Sequence, residues 1–209
     1  MSNTKYVNPE LAAVEVHGMS RSSFIARGAI ATGGLYGAGA VGSFVTSAFA
    51  QGGGGDVDIL NFALTLEYLE AAFYEEALAK GGLDKESKDL ATLIGDHEKE
   101  HVDTLTATIE KLGGKPVAAP EVKFPLKDQA TFLKLAQTFE DTGVAAYDGA
   151  APMIKSTEVL AAAGSIVQVE ARHAAAIRFL AGNNTTRGAF EPTLTENQVL
   201  KAVKPFIAS

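Results

Sequence analysis

The sequence predicts an all-α fold: a four-helix bundle with a long crossover between its second and third helices and a short C-terminal helix. Three observations carry that expectation. From Asp56 onward the apolar residues recur at helical spacing, and no strand-like alternation appears. Glycines and prolines cut this stretch into four segments of helix length. Each segment bears an apolar seam stepping by four and three residues, the stripe that a bundle core buries.

The first helix is expected from Asp56 to Lys80, stopped by Gly81-Gly82. The second starts near Asp84, a residue suited to an N-cap, and ends at Gly113-Gly114. Pro116, Pro120 and Pro125 hold the following connector extended up to Asp128. The third helix runs from Asp128 towards Pro152, and the fourth from Ser156 or Thr157 to Gly182. A short fifth begins at Thr195, where Thr195-Glu196-Asn197-Gln198 has the form of a capping box. Short connections make helices one and two antiparallel neighbours, and likewise three and four. The connector from Gly114 to Leu126 reaches about 43 Å when extended, roughly the length of the second helix, so it permits a return along the whole bundle.

The chain has 209 residues, 46% of them hydrophobic and 21% charged, within the globular range. Its net charge of -7 argues against a nucleic-acid partner. Cysteine is absent, which removes disulfides, thiolate metal sites and cysteine nucleophiles together. The first fifty residues read as an export signal and not as part of the fold. Arg21 and Arg27 precede a Gly- and Ala-rich apolar stretch, and Ala48-Phe49-Ala50 offers a small-x-small cleavage site after Ala50. Ser20-Arg21-Ser22-Ser23-Phe24-Ile25 resembles a twin-arginine signal, with Ser22 in place of the second arginine, so general secretion stays open as the route. Six glycines between positions 28 and 42 argue against a stable spanning helix, and no membrane insertion is expected after cleavage. The expected location is therefore outside the cytoplasm, periplasmic or extracellular. Residues 51–55 form a glycine linker, 56–182 the bundle, and 183–209 a C-terminal extension holding the short helix. Without residues 1–50 the chain keeps 15 basic and 23 acidic side chains, a net charge of -8.

The seams carry the chemistry. They read Leu60, Leu64, Glu67, Ala71, Tyr74, Leu78 in helix one and Ile94, Glu98, His101, Leu105, Thr108, Leu112 in helix two. Helix three gives Leu133, Ala136, Glu140, Gly143, Tyr147, Ala150, Ile154, and helix four Ala163, Ile166, Glu170, His173, Ile177, Leu180. Each has a glutamate at its middle, and an unpaired buried charge is disfavoured by several kcal/mol. Glu98-Lys99-Glu100-His101 and Glu170-Ala171-Arg172-His173 place Glu and His one turn apart on one helix face. Glu67 and Glu140 complete four carboxylates and two imidazoles, a charge near −4 that two divalent cations cancel. Such oxygen-rich donors suit iron or manganese better than zinc or copper. The pattern is also doubled: Glu67, Tyr74 and Glu98 recur as Glu140, Tyr147 and Glu170, offset by 73, 73 and 72 residues.

These residues resemble the ferritin-like superfamily, whose di-metal bundles carry this donor pattern. The stretch Leu60-Asn61-Phe62-Ala63-Leu64-Thr65-Leu66-Glu67-Tyr68-Leu69-Glu70-Ala71-Ala72-Phe73-Tyr74 is similar to exported bacterial members related to plant desiccation-related proteins. The resemblance spans roughly Asp56 to Gly182 and implies Glu67, Glu98, His101, Glu140, Glu170 and His173 as metal ligands, with Glu98 and Glu170 as bridges. Two iron ions are the expected cofactor, two manganese ions the alternative.

Four further residues lie beside this set. Glu70, one turn from Glu67 but matched by Gly143, is expected to be solvated or to stand behind the ligands. His97, matched by Val169, is expected behind the ligands or at the surface. Tyr74 and Tyr147 suit a hydrogen bond to a ligand, an electron-carrying role, or plain core packing. The chemistry open to such a site is ferrous oxidation or reaction with oxygen or peroxide in stress protection. Manganese-catalase-like disproportionation and a purely structural metal site are the alternatives. A homo-oligomer is compatible with the pattern, but iron storage needs a closed cage, and no cage-forming surface is legible.

Overall fold

The computed structural model describes residues 55–208. The expected export signal and most of the glycine linker lie outside the described residues. Five α-helices occur among the described residues: α1 (Asp56–Lys80), α2 (Lys85–Lys111), α3 (Gln129–Ala150), α4 (Thr157–Leu180) and α5 (Glu196–Val203). None is long and apolar enough to cross a membrane.

Local chemistry fixes the ends. Asp84 accepts the Ser87 amide at 2.8 Å, Asp128 accepts that of Thr131 at 2.8 Å, and Ser156 Oγ accepts that of Val159 at 3.3 Å. These side chains satisfy amides that a first helical turn leaves without partners. Thr195 and Gln198 form the expected capping box of α5. Gly81 and Gly113, at φ 73° and 77°, turn the chain out of α1 and α2 in the left-handed region. The α-helical part of the third segment stops at Ala150, and Pro152 falls in a 3₁₀ turn, Ala151–Met153.

α1 packs along α2 and α3 along α4, while α1 also meets α3 and α2 meets α4. The crossover runs from the N-terminal end of α1 to its C-terminal end, as its anchors prove. Asn61, 1% exposed, accepts the Val117 amide at 2.9 Å and donates to the Lys115 carbonyl at 3.2 Å. At the other end Lys80 Nζ donates to the Leu126 carbonyl, and Phe124 and Leu126 are buried. Helix α3 therefore runs parallel to α2, the arrangement that the long connector permits. The C-terminal segment straps this crossover: Lys123 donates to the Phe206 carbonyl and Ala208 to that of Glu121, both at 2.8 Å.

Two apolar clusters flank the middle of the bundle. The upper one centres on Phe73, which stacks on Phe132 at 5.6 Å and meets Phe124 and Phe139 edge-on at 5.3 and 4.9 Å. Val199, Leu200 and Val203 of α5 close over it. The lower one holds Leu60, Leu64, Leu105, Ile109, Tyr147, Val159 and Ile166. The seams depart from the sequence reading at their ends. In α2, Leu112 is 45% exposed and Thr108 half-buried, while Ile109 is fully buried in their stead. A straight helix drifts about 20° per heptad from a 3.5-residue repeat, so the last residues of an idealised seam rotate outward.

Candidate metal centre

Between the two clusters, Glu67, Glu98, Glu140 and Glu170 are fully buried, and His101 and His173 nearly so. One helical turn separates Glu98 from His101 and Glu170 from His173, which aims each pair at the bundle axis. Their atoms form two groups, Glu67-Glu98-His101-Glu170 and Glu98-Glu140-Glu170-His173. Within each, one ligand atom per residue lies within 4.8 Å of all the others.

Glu98 and Glu170 belong to both groups, and each divides its oxygens between them. His101 Nδ1 lies 3.1 Å from Glu98 Oε2 and 2.9 Å from Glu170 Oε1. His173 Nδ1 lies 2.9 Å from Glu98 Oε1 and 3.9 Å from Glu170 Oε2. Glu67 Oε2 completes the first group at 3.2 Å from His101, and Glu140 Oε2 the second at 3.5 Å from His173. The outer oxygens are tied reciprocally between α1 and α3. Tyr74 donates to Glu140 Oε1, and Tyr147 donates to Glu67 Oε1. The doubled sequence pattern has thus become a pseudo-twofold centre in which each hairpin's tyrosine orients the other's carboxylate.

Burial and crowding set the protonation of these groups. Burial, then the charge of Glu170, pushes Glu67 and Glu70 well above the usual carboxylate range. Burial raises Glu140 to about 8. Glu98 goes the other way: burial opposes its charge, but the closely approaching His101 and His173 outweigh it and bring it down to about 2. Burial also opposes charge on the imidazoles, yet the surrounding carboxylates raise both His101 and His173 to about 12. Acids packed this closely cannot all be ionised together, and protons held among them balance part of their charge.

Glu70 is not solvated: it is 3% exposed. Its match in the other hairpin, Gly143, explains how it fits. A Cβ on Gly143 would lie 3.0 Å from Glu70 Oε1 and 3.7 Å from Glu170 Oε2, so the carboxyl of Glu70 occupies room left by a missing side chain. His97 is half-buried, and its Nδ1 lies 2.9 Å from His173 Nε2 with the rings stacked 5.2 Å apart. Gly95 is the residue that the sequence pattern passed over: it lets α2 approach α1, since a Cβ there would sit 3.1 Å from Tyr74 Cβ. A mid-helix glycine on a buried face costs about 1 kcal/mol against alanine, and that penalty was the available signal.

A domain profile described as "Ferritin-like domain" matches residues 55–183, and the chain belongs to that family. No curated protein matches the sequence. Among solved structures, the fold is similar to a conserved hypothetical protein from Mycobacterium tuberculosis, with a TM-score of 0.56 and 17% identity. That similarity covers 70% of this chain and 99% of the other. At this identity the likeness concerns the fold.

Proposed function

We propose that this chain is a carboxylate-bridged di-metal protein that takes two iron ions, oxidising ferrous iron or reacting with oxygen or peroxide in stress protection outside the cytoplasm. One observation carries the reading: two four-donor groups share Glu98 and Glu170, each of which turns one oxygen to either group. The donor set fits a pair of divalent ions. Glu98 Oε1, Glu140 Oε2, both oxygens of Glu170 and His173 Nδ1 are buried without a hydrogen bond, although they face one another. Buried polar atoms in native proteins nearly always have partners, so a cluster of such atoms calls for a cation. Hard oxygens with one imidazole per position favour iron or manganese.

Glu67, Glu140, His101 and His173 would hold the ions singly, and Glu98 and Glu170 would hold them jointly. When bound, such a pair supplies two one-electron couples, which with two protons reduce dioxygen to hydrogen peroxide or peroxide to water. Tyr74 and Tyr147 keep Glu140 and Glu67 aimed inward by hydrogen bonding. The flanking clusters exclude water from above and below.

The test is metal content of the purified chain, followed by anaerobic ferrous loading and exposure to oxygen. About two iron per chain with rapid oxygen uptake is expected; two manganese with peroxide disproportionation would favour the catalase-like alternative. Tight metal without turnover would favour a structural site. Glu98→Ala with His101→Ala should lose at least one metal while the helical signal survives. Unchanged metal content in that variant, or none in the parent after loading, overturns the reading.

A further inference from the structure

The two halves of the centre are not equal, and the difference lies in residues that only the first hairpin carries. His97 has its counterpart in Val169, and Glu70 in Gly143. Both extra groups serve the same position. His97 touches His173 and not His101. Glu70 reaches across to Gly143, one turn beyond Glu140 on α3, beside Glu170 Oε2. That oxygen of Glu170 is the one on the side of His173.

Hydrogen bonding distinguishes the two positions. In the first group His101 Nδ1 is hydrogen-bonded to Glu67 Oε2 and Glu98 Oε2, and of the inward atoms Glu170 Oε1 alone lacks a bond. In the second, all four inward atoms, Glu98 Oε1, Glu140 Oε2, Glu170 Oε2 and His173 Nδ1, lack hydrogen bonds. Glu98 Oε1 and His173 Nδ1 stand 2.9 Å apart without the alignment of a bond. A cation entering the first position must break bonds already made. One entering the second relieves buried atoms that have none, and such atoms are costly while unsatisfied.

We infer that the Glu140–His173 position is the tighter of the two and fills first, with His97 as its positioning residue. The inference rests on the proposed di-metal centre. For His173 to present the Nδ1 lone pair inward, its Nε2 must carry the proton, and His97 Nδ1 stands where it accepts that N–H. The bond fixes both tautomer and ring orientation. His101 has no such outer partner among the described residues, since its contacts all involve Nδ1. Glu70 adds a further carboxyl beside Glu170 Oε2, on the side of the favoured position.

The experiment is a titration of the metal-free full chain with cobalt(II), followed by calorimetry and by visible absorption, which reports each cobalt's own ligands. Two resolved steps are expected. Glu140→Ala should abolish the tighter step and Glu67→Ala the weaker. His97→Ala should weaken the first step by about 10- to 100-fold and shift its absorption band, leaving the second step in place. His97→Asn, which keeps a hydrogen-bonding group, should restore part of the loss, a rescue that mere repacking would not produce. Val169→His, which offers His101 a matching partner, should narrow the gap between the steps. Equal steps, or loss of the tighter step in Glu67→Ala, overturn the inference and leave the two-metal centre standing. No cobalt bound by the parent chain sinks the centre and the inference together.

Discussion

Gly143→Ala probes the crowded middle of the bundle. Alanine is favoured over glycine by about 0.8–1.0 kcal/mol within a helix, and one buried methyl adds roughly 0.8 kcal/mol. Against this, the new Cβ would sit 3.0 Å from Glu70 Oε1, inside ordinary contact distance. Glu70 is 3% exposed, so its carboxyl cannot retreat into solvent without leaving the core. The expected result in the parent background is a loss of about 1–2 kcal/mol, as overpacked cores show. In a Glu70→Ala background the obstruction is gone, and the same substitution should stabilise by about 1 kcal/mol. The coupling between the two positions is then about 2–3 kcal/mol, at the upper end for residues in contact. Urea unfolding of the metal-free parent, both single variants and the double variant measures it. Additive effects, within about 0.5 kcal/mol, would refute the placement of Glu70 against Gly143.

The other predictions concern the strap, the crossover and the protons of the centre. A Cβ on Gly149 would lie 2.0 Å from the Leu194 carbonyl oxygen, so Gly149→Ala should undock the segment leading into α5, read as faster proteolysis near residue 194. Asn61→Ala removes both bonds to the start of the crossover and should cost about 1–3 kcal/mol in denaturant unfolding; a change below 0.5 kcal/mol would show that the crossover needs no such anchor. His101 and His173, raised to about 12, and Glu140, raised to about 8, hold protons at pH 7 that a divalent ion must displace. Metal affinity should therefore rise with pH between 6 and 8, by about tenfold per unit for each proton released. Calorimetry in buffers of different ionisation enthalpy counts those protons, and a pH-independent affinity would contradict the assignment.

Much of this architecture was legible because the determinants are local. Asp84 and Thr195 cap the helices they were expected to cap, Asp128 and Ser156 stand at the helix starts expected there, and the glycine pairs end the helices they follow. The convergence of the six glutamates and histidines was legible for a different reason: one seam position repeated on four helices has only one place to meet. What the pattern could not convey was contact between elements. Glu70 looks solvent-facing on its own helix and becomes buried only because α3 carries Gly143 opposite. His97 acquires meaning from His173, which lies 76 residues away. Leu112 fell on an idealised stripe that the true helical repeat does not follow. The strapping of the crossover by residues 206–208 involves backbone groups, to which side-chain patterns are blind.

The anchored crossover has a consequence for how many chains make one centre. Each hairpin supplies half of the inward donors, so neither can build the pair of positions by itself. A loose tether of this length would let hairpins from two chains exchange, closing two hybrid centres in a swapped dimer. Asn61 at one end, Lys80 at the other, and the backbone bonds to the C-terminal segment hold the tether against its own bundle. Exchange would require all of these to break before any new partner is gained. With the tether held in this way, both hairpins of the centre come from one chain among the described residues.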